Sequence, residues 1–187
     1  MAHRSQAIVW RTIVLAGLTA GALDLVFALI FYGLKGISPE RLLQGIATGL
    51  FGRSSFQLGF ASMAVGVFVH FFASICAALV YYLASLRFAL LTRRPLVSGA
   101  VFGIGMYLTM NFVVIPLSRI GFRVPSLGSA IGELCSHIFL FGFSAALIIA
   151  SARQRGNCHR HCTFAGQGQA VRYLSRDRQN DVSRHRS

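Results

Sequence analysis

Four long apolar runs dominate the sequence, at about residues 13–34, 58–86, 96–117 and 127–150. Each supplies the ~20 apolar residues that an α-helix needs to cross a hydrocarbon core ~30 Å thick. In hydrocarbon every backbone amide and carbonyl must find a partner within the protein, and a helix achieves this inside one segment. The runs therefore predict an all-α polytopic membrane protein with four transmembrane helices.

The composition agrees with lipid as the solvent. Hydrophobic residues make up 55% of the chain and charged residues 12%, about half the charged share of a soluble domain. The formal net charge of +13 would suit nucleic acid, but the basic residues before residue 150 lie almost entirely between the apolar runs. Cations at those places favour anionic lipid headgroups. We therefore expect the lipid bilayer as a partner and no specific nucleic acid, because a basic arm alone binds nucleic acid without specificity.

The basic residues also predict an orientation. The N-terminus, the loop between the second and third runs and the C-terminal tail carry two, three and eight Lys or Arg, against five in the loops on the opposite side. Cytoplasmic segments are enriched in Lys and Arg, so both termini are expected in the cytoplasm, as in a bacterial inner membrane. The basic start resembles a secretory signal, but signal cores span ~7–15 residues. The first run is longer, which favours a retained helix.

Three regions follow from this layout: a cytoplasmic N-terminus (1–12), a transmembrane domain (13–150) and a basic tail (151–187). Between the first two runs, residues 39–51 predict a helix that is capped by Ser38 and begins with Pro39. This helix is too short to span a bilayer, so it should be interfacial or re-entrant. The tail has too few apolar residues to fold and should be disordered. Its Cys158–Cys162 segment is too compact to enclose zinc, so no metal is predicted.

Small residues in the spans predict close helix packing. Gly17 and Gly21 in the first run, and Gly99 and Gly103 in the third, lie four residues apart and permit backbones to approach closely. They could pack within the chain, the simpler interpretation, or in a homodimer. The second and fourth runs each carry one mid-depth histidine, which suggests two tandem helical hairpins. Chance resemblance between glycine-rich spans is the alternative.

Five polar side chains are the candidate functional residues, because polar groups in hydrocarbon are costly and usually face a bundle interior. Two of them, Glu133 and His137, are four residues apart and therefore lie on one helix face. All five could meet in one cluster that opens outward. They could relay protons, ligate a divalent metal or hold the helices together by hydrogen bonds. They are Asp24, His70, Asn111, Glu133 and His137.

Four stretches resemble a family of small, uncharacterised bacterial four-helix inner-membrane proteins. They are SPER at residues 38–41, QGIATGLFG at 44–52, HFF at 70–72 and MNFVVIPLS at 110–118. The resemblance covers about residues 12–150, stops before the tail, and implies four helices with no established activity.

No catalytic constellation or cofactor motif is visible in the spans, so we expect neither an enzyme nor a bound cofactor. The leading hypothesis is a non-enzymatic membrane component or assembly partner, with a homo-oligomer or another membrane protein as its partner. The alternative is a small proton-coupled or cation-handling transporter that uses the buried Asp, His and Glu side chains.

Overall fold

Five main helices form the part of the chain that the structure, a computed structural model, describes, namely residues 2–122 and 124–155. Helices α4 and α5 each contain a π-helical stretch, at Met110–Val114 and Ser136–Gly142. Within the described residues, 2–150 form one compact unit. The helices are α1 (Ala2–Gly33), α2 (Pro39–Phe51), α3 (Gly59–Arg87), α4 (Pro95–Leu117) and α5 (Leu127–Arg155).

Four of these helices are long and apolar enough to cross a bilayer: Gln6–Gly33 within α1, and the whole of α3, α4 and α5. Residues 2–122 and 124–155 contain no β-strand. The predicted all-α, multi-pass membrane architecture is therefore confirmed. Of the tail predicted to be disordered (151–187), residues 151–155 are helical, and the rest, with the Cys158–Cys162 segment, lies outside the described residues.

Two helix ends extend beyond the apolar runs. α1 begins at Ala2, not near residue 13, and α5 continues to Arg155, past residue 150. Hydropathy marks where hydrocarbon ends, whereas a helix continues until glycine, proline or a capping residue ends it. Residues 2–12 contain neither glycine nor proline, so within the segment predicted as the cytoplasmic N-terminus (1–12) they form the first part of α1.

The short helix α2 folds back onto the start of α3. Ser38 caps it, with its side chain accepting from the amide of Arg41, and Gly52 ends it with φ of 64°. The buried side chain of Gln44 donates to the Gly59 carbonyl at 3.3 Å. With 13 residues, α2 is only ~20 Å long. It is therefore too short to cross a bilayer alone, and it lies against the bundle.

The interior of the bundle is lined largely by alanine. One core cluster contains Ile13, Ala16, Ala78, Tyr81, Ala146 and Ile149, and a second contains Ala20, Ala77, Phe141 and Ala145. These residues come from α1, α3 and α5, which meet around them. Because lipid tails are as apolar as the side chains, packing of small residues at close range, and not escape from water, stabilises such contacts.

The two glycine pairs lie at equivalent helix contacts. A β-carbon on Gly17 would lie 2.6 Å from Cα of Ile75, so the first pair packs α1 against α3. A β-carbon on Gly99 would lie 2.8 Å from the carbonyl oxygen of Gly142, so the second pair packs α4 against α5. Gly21 and Gly103 extend these contacts along the same helices. In each half of the chain, the glycine-bearing helix therefore packs on the next spanning helix.

Candidate functional site

The interface between α1 and α5 brings an acid, a hydroxyl and an imidazole together. Ser136 Oγ donates to Asp24 Oδ1 at 2.5 Å, and Nδ1 of His137 lies 3.9 Å from the same oxygen. The side chains of His137 and Asp24 are 18% and 15% exposed. Asp24 lies nine residues before the end of α1 at Gly33, or ~14 Å along the helix. We call these three residues the mid-span cluster.

A π-helical turn shapes the α5 side of this cluster. The stretch Ser136–Gly142 starts at the serine that binds Asp24. A π-helical turn is wider than an α-helical turn, so successive side chains diverge by a smaller angle around the axis. This helps Ser136 and His137, which are adjacent in sequence, to approach one carboxylate oxygen. Such stretches are frequent at functional sites.

The hydrogen bonds of His137 identify its neutral tautomer. Nδ1 lies 2.8 Å from the carbonyl oxygen of Glu133. A carbonyl oxygen can only accept, so Nδ1 carries the hydrogen in the neutral ring and Nε2 is the free acceptor position. The ring also contacts two aromatic rings, those of Tyr107 and Phe141, with centroids 6.1 and 6.2 Å away.

Further polar contacts continue along α1 and α5 towards Gly33. The hydroxyl of Tyr32 donates to Oε1 of Glu133, and Nζ of Lys35 donates to Oγ of Ser129 at 2.9 Å. The ammonium group of Lys35 also lies 4.0 Å from the ring centroid of Phe31, close enough for a cation–π contact. We call Tyr32, Lys35, Ser129 and Glu133 the end cluster.

The other two polar residues in the predicted spans have partners elsewhere. Nε2 of His70, on α3, lies 2.9 Å from the Gly21 carbonyl on α1. Nδ2 of Asn111 donates to the Tyr107 carbonyl of its own helix at 3.1 Å. The five candidates therefore do not form one cluster. Asp24, His137 and Glu133 line the α1–α5 interface. His70 binds the backbone of α1 one helical turn from Asp24. Asn111 binds the backbone of its own helix, α4.

Sequence reasoning missed four residues of the two clusters, Tyr32, Lys35, Ser129 and Ser136. Tyr32 lies eight residues after Asp24, a little over two helical turns, so the shared face could have been recognised. Ser136 carries no such signal. Hydroxyl groups in helices commonly bond to their own backbone, as Ser74 does with the His70 carbonyl, and only the tertiary arrangement distinguishes Ser136 from them.

The interface presents carboxylate, imidazole and hydroxyl groups that hydrogen-bond within and between the helices. Among residues 2–122 and 124–155, no three His, Cys, Asp or Glu side chains lie close enough together to hold a metal ion. The divalent-metal alternative thus has no ligand set in this part of the chain. Buried side-chain nitrogen and oxygen atoms in the described segments all have hydrogen-bond partners.

Comparison with known proteins adds no relative: no protein-family model, curated protein or solved structure matches the chain. The resemblance to small bacterial inner-membrane proteins stays a prediction. The function must therefore be inferred from the geometry of the chain itself.

Proposed function

We propose that the protein is a non-enzymatic component of a bacterial inner membrane that acts as a packing or assembly partner, with both termini in the cytoplasm. The observation that carries this proposal is that the intramembrane polar groups form hydrogen bonds between helices. Asp24 is tied to Ser136 and Tyr32 to Glu133 across the α1–α5 interface. His70 ties α3 to α1. Such bonds between helices stabilise a bundle by ~0.6 kcal/mol each on average.

The outer surface supports a role within the membrane. Large apolar side chains project from the bundle along α3, where Phe60, Phe68 and Phe72 are 79%, 69% and 59% exposed. In water such a surface would drive aggregation, whereas in a bilayer it contacts lipid or another membrane protein. We therefore propose the lipid bilayer as the constant partner, and a second copy or another membrane protein as the assembly partner.

Orientation is tested with reporters fused to each end of the full chain. A cytoplasm-active fluorescent protein and a periplasm-active phosphatase are each attached at the N-terminus and at the C-terminus. Fluorescence without phosphatase activity at both ends is the expected result. Phosphatase activity at either end would contradict the proposed topology.

Assembly is tested by co-expressing two copies of the chain that carry different affinity tags. Purification through one tag in mild detergent should recover the copy that carries the other tag. Mixing copies that were purified separately measures the association that arises only after extraction. In parallel, vesicles that contain the purified protein should be no more permeable to protons or cations than protein-free vesicles. Flux that requires the protein would contradict the purely structural role.

A second candidate, a small proton-coupled or cation-handling transporter, is favoured by one observation. The carboxylate of Asp24 and the imidazole of His137 lie 3.9 Å apart at mid-span, where ionisable groups commonly mark ion pathways. In the same vesicles, flux that is lost in Asp24→Asn and in His137→Ala would support this function. Unchanged flux in both variants would exclude these two residues from transport.

A further inference from the structure

We propose that the mid-span cluster is a proton-binding site, shared by Asp24 and His137, that exchanges protons with only one face of the membrane. The connected face is the one at which the end cluster lies. The inference deepens the transporter candidate and goes beyond a purely structural role. It requires only that a proton binds to the cluster, so it does not depend on transport of ions across the membrane.

The geometry supplies two adjacent proton acceptors. Nδ1 of His137 is occupied by the Glu133 carbonyl, which leaves Nε2 as the position where a proton can be added. A proton from hydronium that binds there forms an imidazolium 3.9 Å from Asp24 Oδ1 and releases water. The negative carboxylate stabilises that charge. Alternatively the proton binds the carboxylate itself, so the pair holds one proton in either of two places.

The groups that surround the pair can be named for each helix packed against it. Towards Gly33, α1 and α5 carry Tyr32 and Glu133, and Lys35 follows the end of α1; all three belong to the end cluster. From α3, His70 approaches the Gly21 carbonyl, and from α4 the ring of Tyr107 lies against His137. The charged residues of α2 are used elsewhere: Glu40 accepts from Gln44, and Arg41 lies over the ring of Phe56.

Access to the pair differs between the two ends of the bundle. Towards Gly33, the interface carries the polar atoms of Glu133, Tyr32, Ser129 and Lys35, beside the ring of Phe31, which packs on Gly132. Towards the start of α1, the same interface is filled by the two apolar core clusters. Their members include Ala20 and Phe141 close to the site, and Ile13 and Ile149 farther along. These side chains are buried, so they exclude water and seal the site from that end.

The site is tested by labelling the full-length protein with a hydrophobic carbodiimide, which reacts with protonated carboxyl groups in membranes to form a stable acylurea. The adduct is located by mass spectrometry of proteolytic fragments. We expect Asp24 to be labelled, with about tenfold less adduct for each pH unit once the carboxyl is mostly ionised. No adduct on Asp24, or an adduct that is independent of pH, would overturn the proposal.

Sidedness is tested with right-side-out and inside-out membrane vesicles whose interior is strongly buffered. Changing the external pH should change Asp24 labelling in only one of the two preparations. With both termini cytoplasmic, that preparation is the right-side-out one. An equal response in both preparations would overturn the one-sided connection.

Proton sharing is tested with His137→Phe, compared with the matched variant His70→Phe in the neighbouring helix. We expect the pH profile of Asp24 labelling to shift in His137→Phe and to remain unchanged in His70→Phe. Equal profiles in the two variants would overturn the sharing. Because the readout is proton binding, an absence of flux would remove the transporter candidate and leave this inference standing, whereas an absence of labelling would remove the site itself.

Discussion

Replacing Gly103 by alanine should separate α4 from α5. The added β-carbon would lie 2.6 Å from Cα of Ile138 and would overlap the carbonyl oxygen of His137. Unbonded carbon atoms prefer ~3.5–4.0 Å, so the helices must move apart by about 1 Å. Both obstructing atoms belong to backbone and cannot rotate away, which places the cost near the upper end of the ~1–3 kcal/mol typical of overpacking.

Gly105 provides a matched control in the same helix, because a β-carbon there would meet nothing within 4 Å. Both substitutions gain the same intrinsic helix preference of alanine, ~1 kcal/mol at most. The difference between the two variants therefore isolates the steric clash. We expect Gly103→Ala to be less stable than Gly105→Ala by about 2–3 kcal/mol.

The free energy of unfolding is measured for both variants by titrating a mild-detergent micelle with a denaturing detergent and following helix loss. Equal unfolding free energies for Gly103→Ala and Gly105→Ala would refute the close α4–α5 contact. A loss in both, relative to the wild type, would show instead that flexibility of α4 matters more than its packing.

Two further predictions concern hydrogen bonds. Ser136→Ala removes the bond to Asp24 and should lower the unfolding free energy by ~0.6 kcal/mol, up to ~1.7, in the same detergent titration. Ser144→Ala is its control, because the Ser144 hydroxyl binds its own helix. An equal loss of unfolding free energy in both variants would contradict the interhelical role of Ser136. Tyr81→Phe removes a buried hydroxyl that lies 2.9 Å from Oγ of Ser98 and also donates to the Leu91 carbonyl. It should lower the melting temperature in detergent, at a cost of about 1 kcal/mol, and an unchanged melting temperature would contradict this.

Local signals in the sequence were sufficient for the architecture. The number of spans follows from the thickness of hydrocarbon, since each apolar run either reaches across it or does not. The start of α2 follows from Ser38 and Pro39, which act on the nearest turn. The far ends of α1 and α5 were less visible, because helix formation continues past the hydrocarbon boundary when no residue ends it.

The composition of the site was decided by tertiary structure. Asp24 and Ser136 are 112 residues apart, so their contact depends on α1 and α5 being neighbours and on the rotation of each helix about its axis. Glycine and alanine contacts set that rotation by letting backbones touch, and a π-helical turn then brings Ser136 and His137 to one oxygen. Hydropathy is a property of a single segment, whereas the hydrogen-bond partners of a side chain depend on how several helices pack together. The sequence by itself therefore determined that this chain spans a membrane four times, and only the packed bundle decided which polar groups meet inside it.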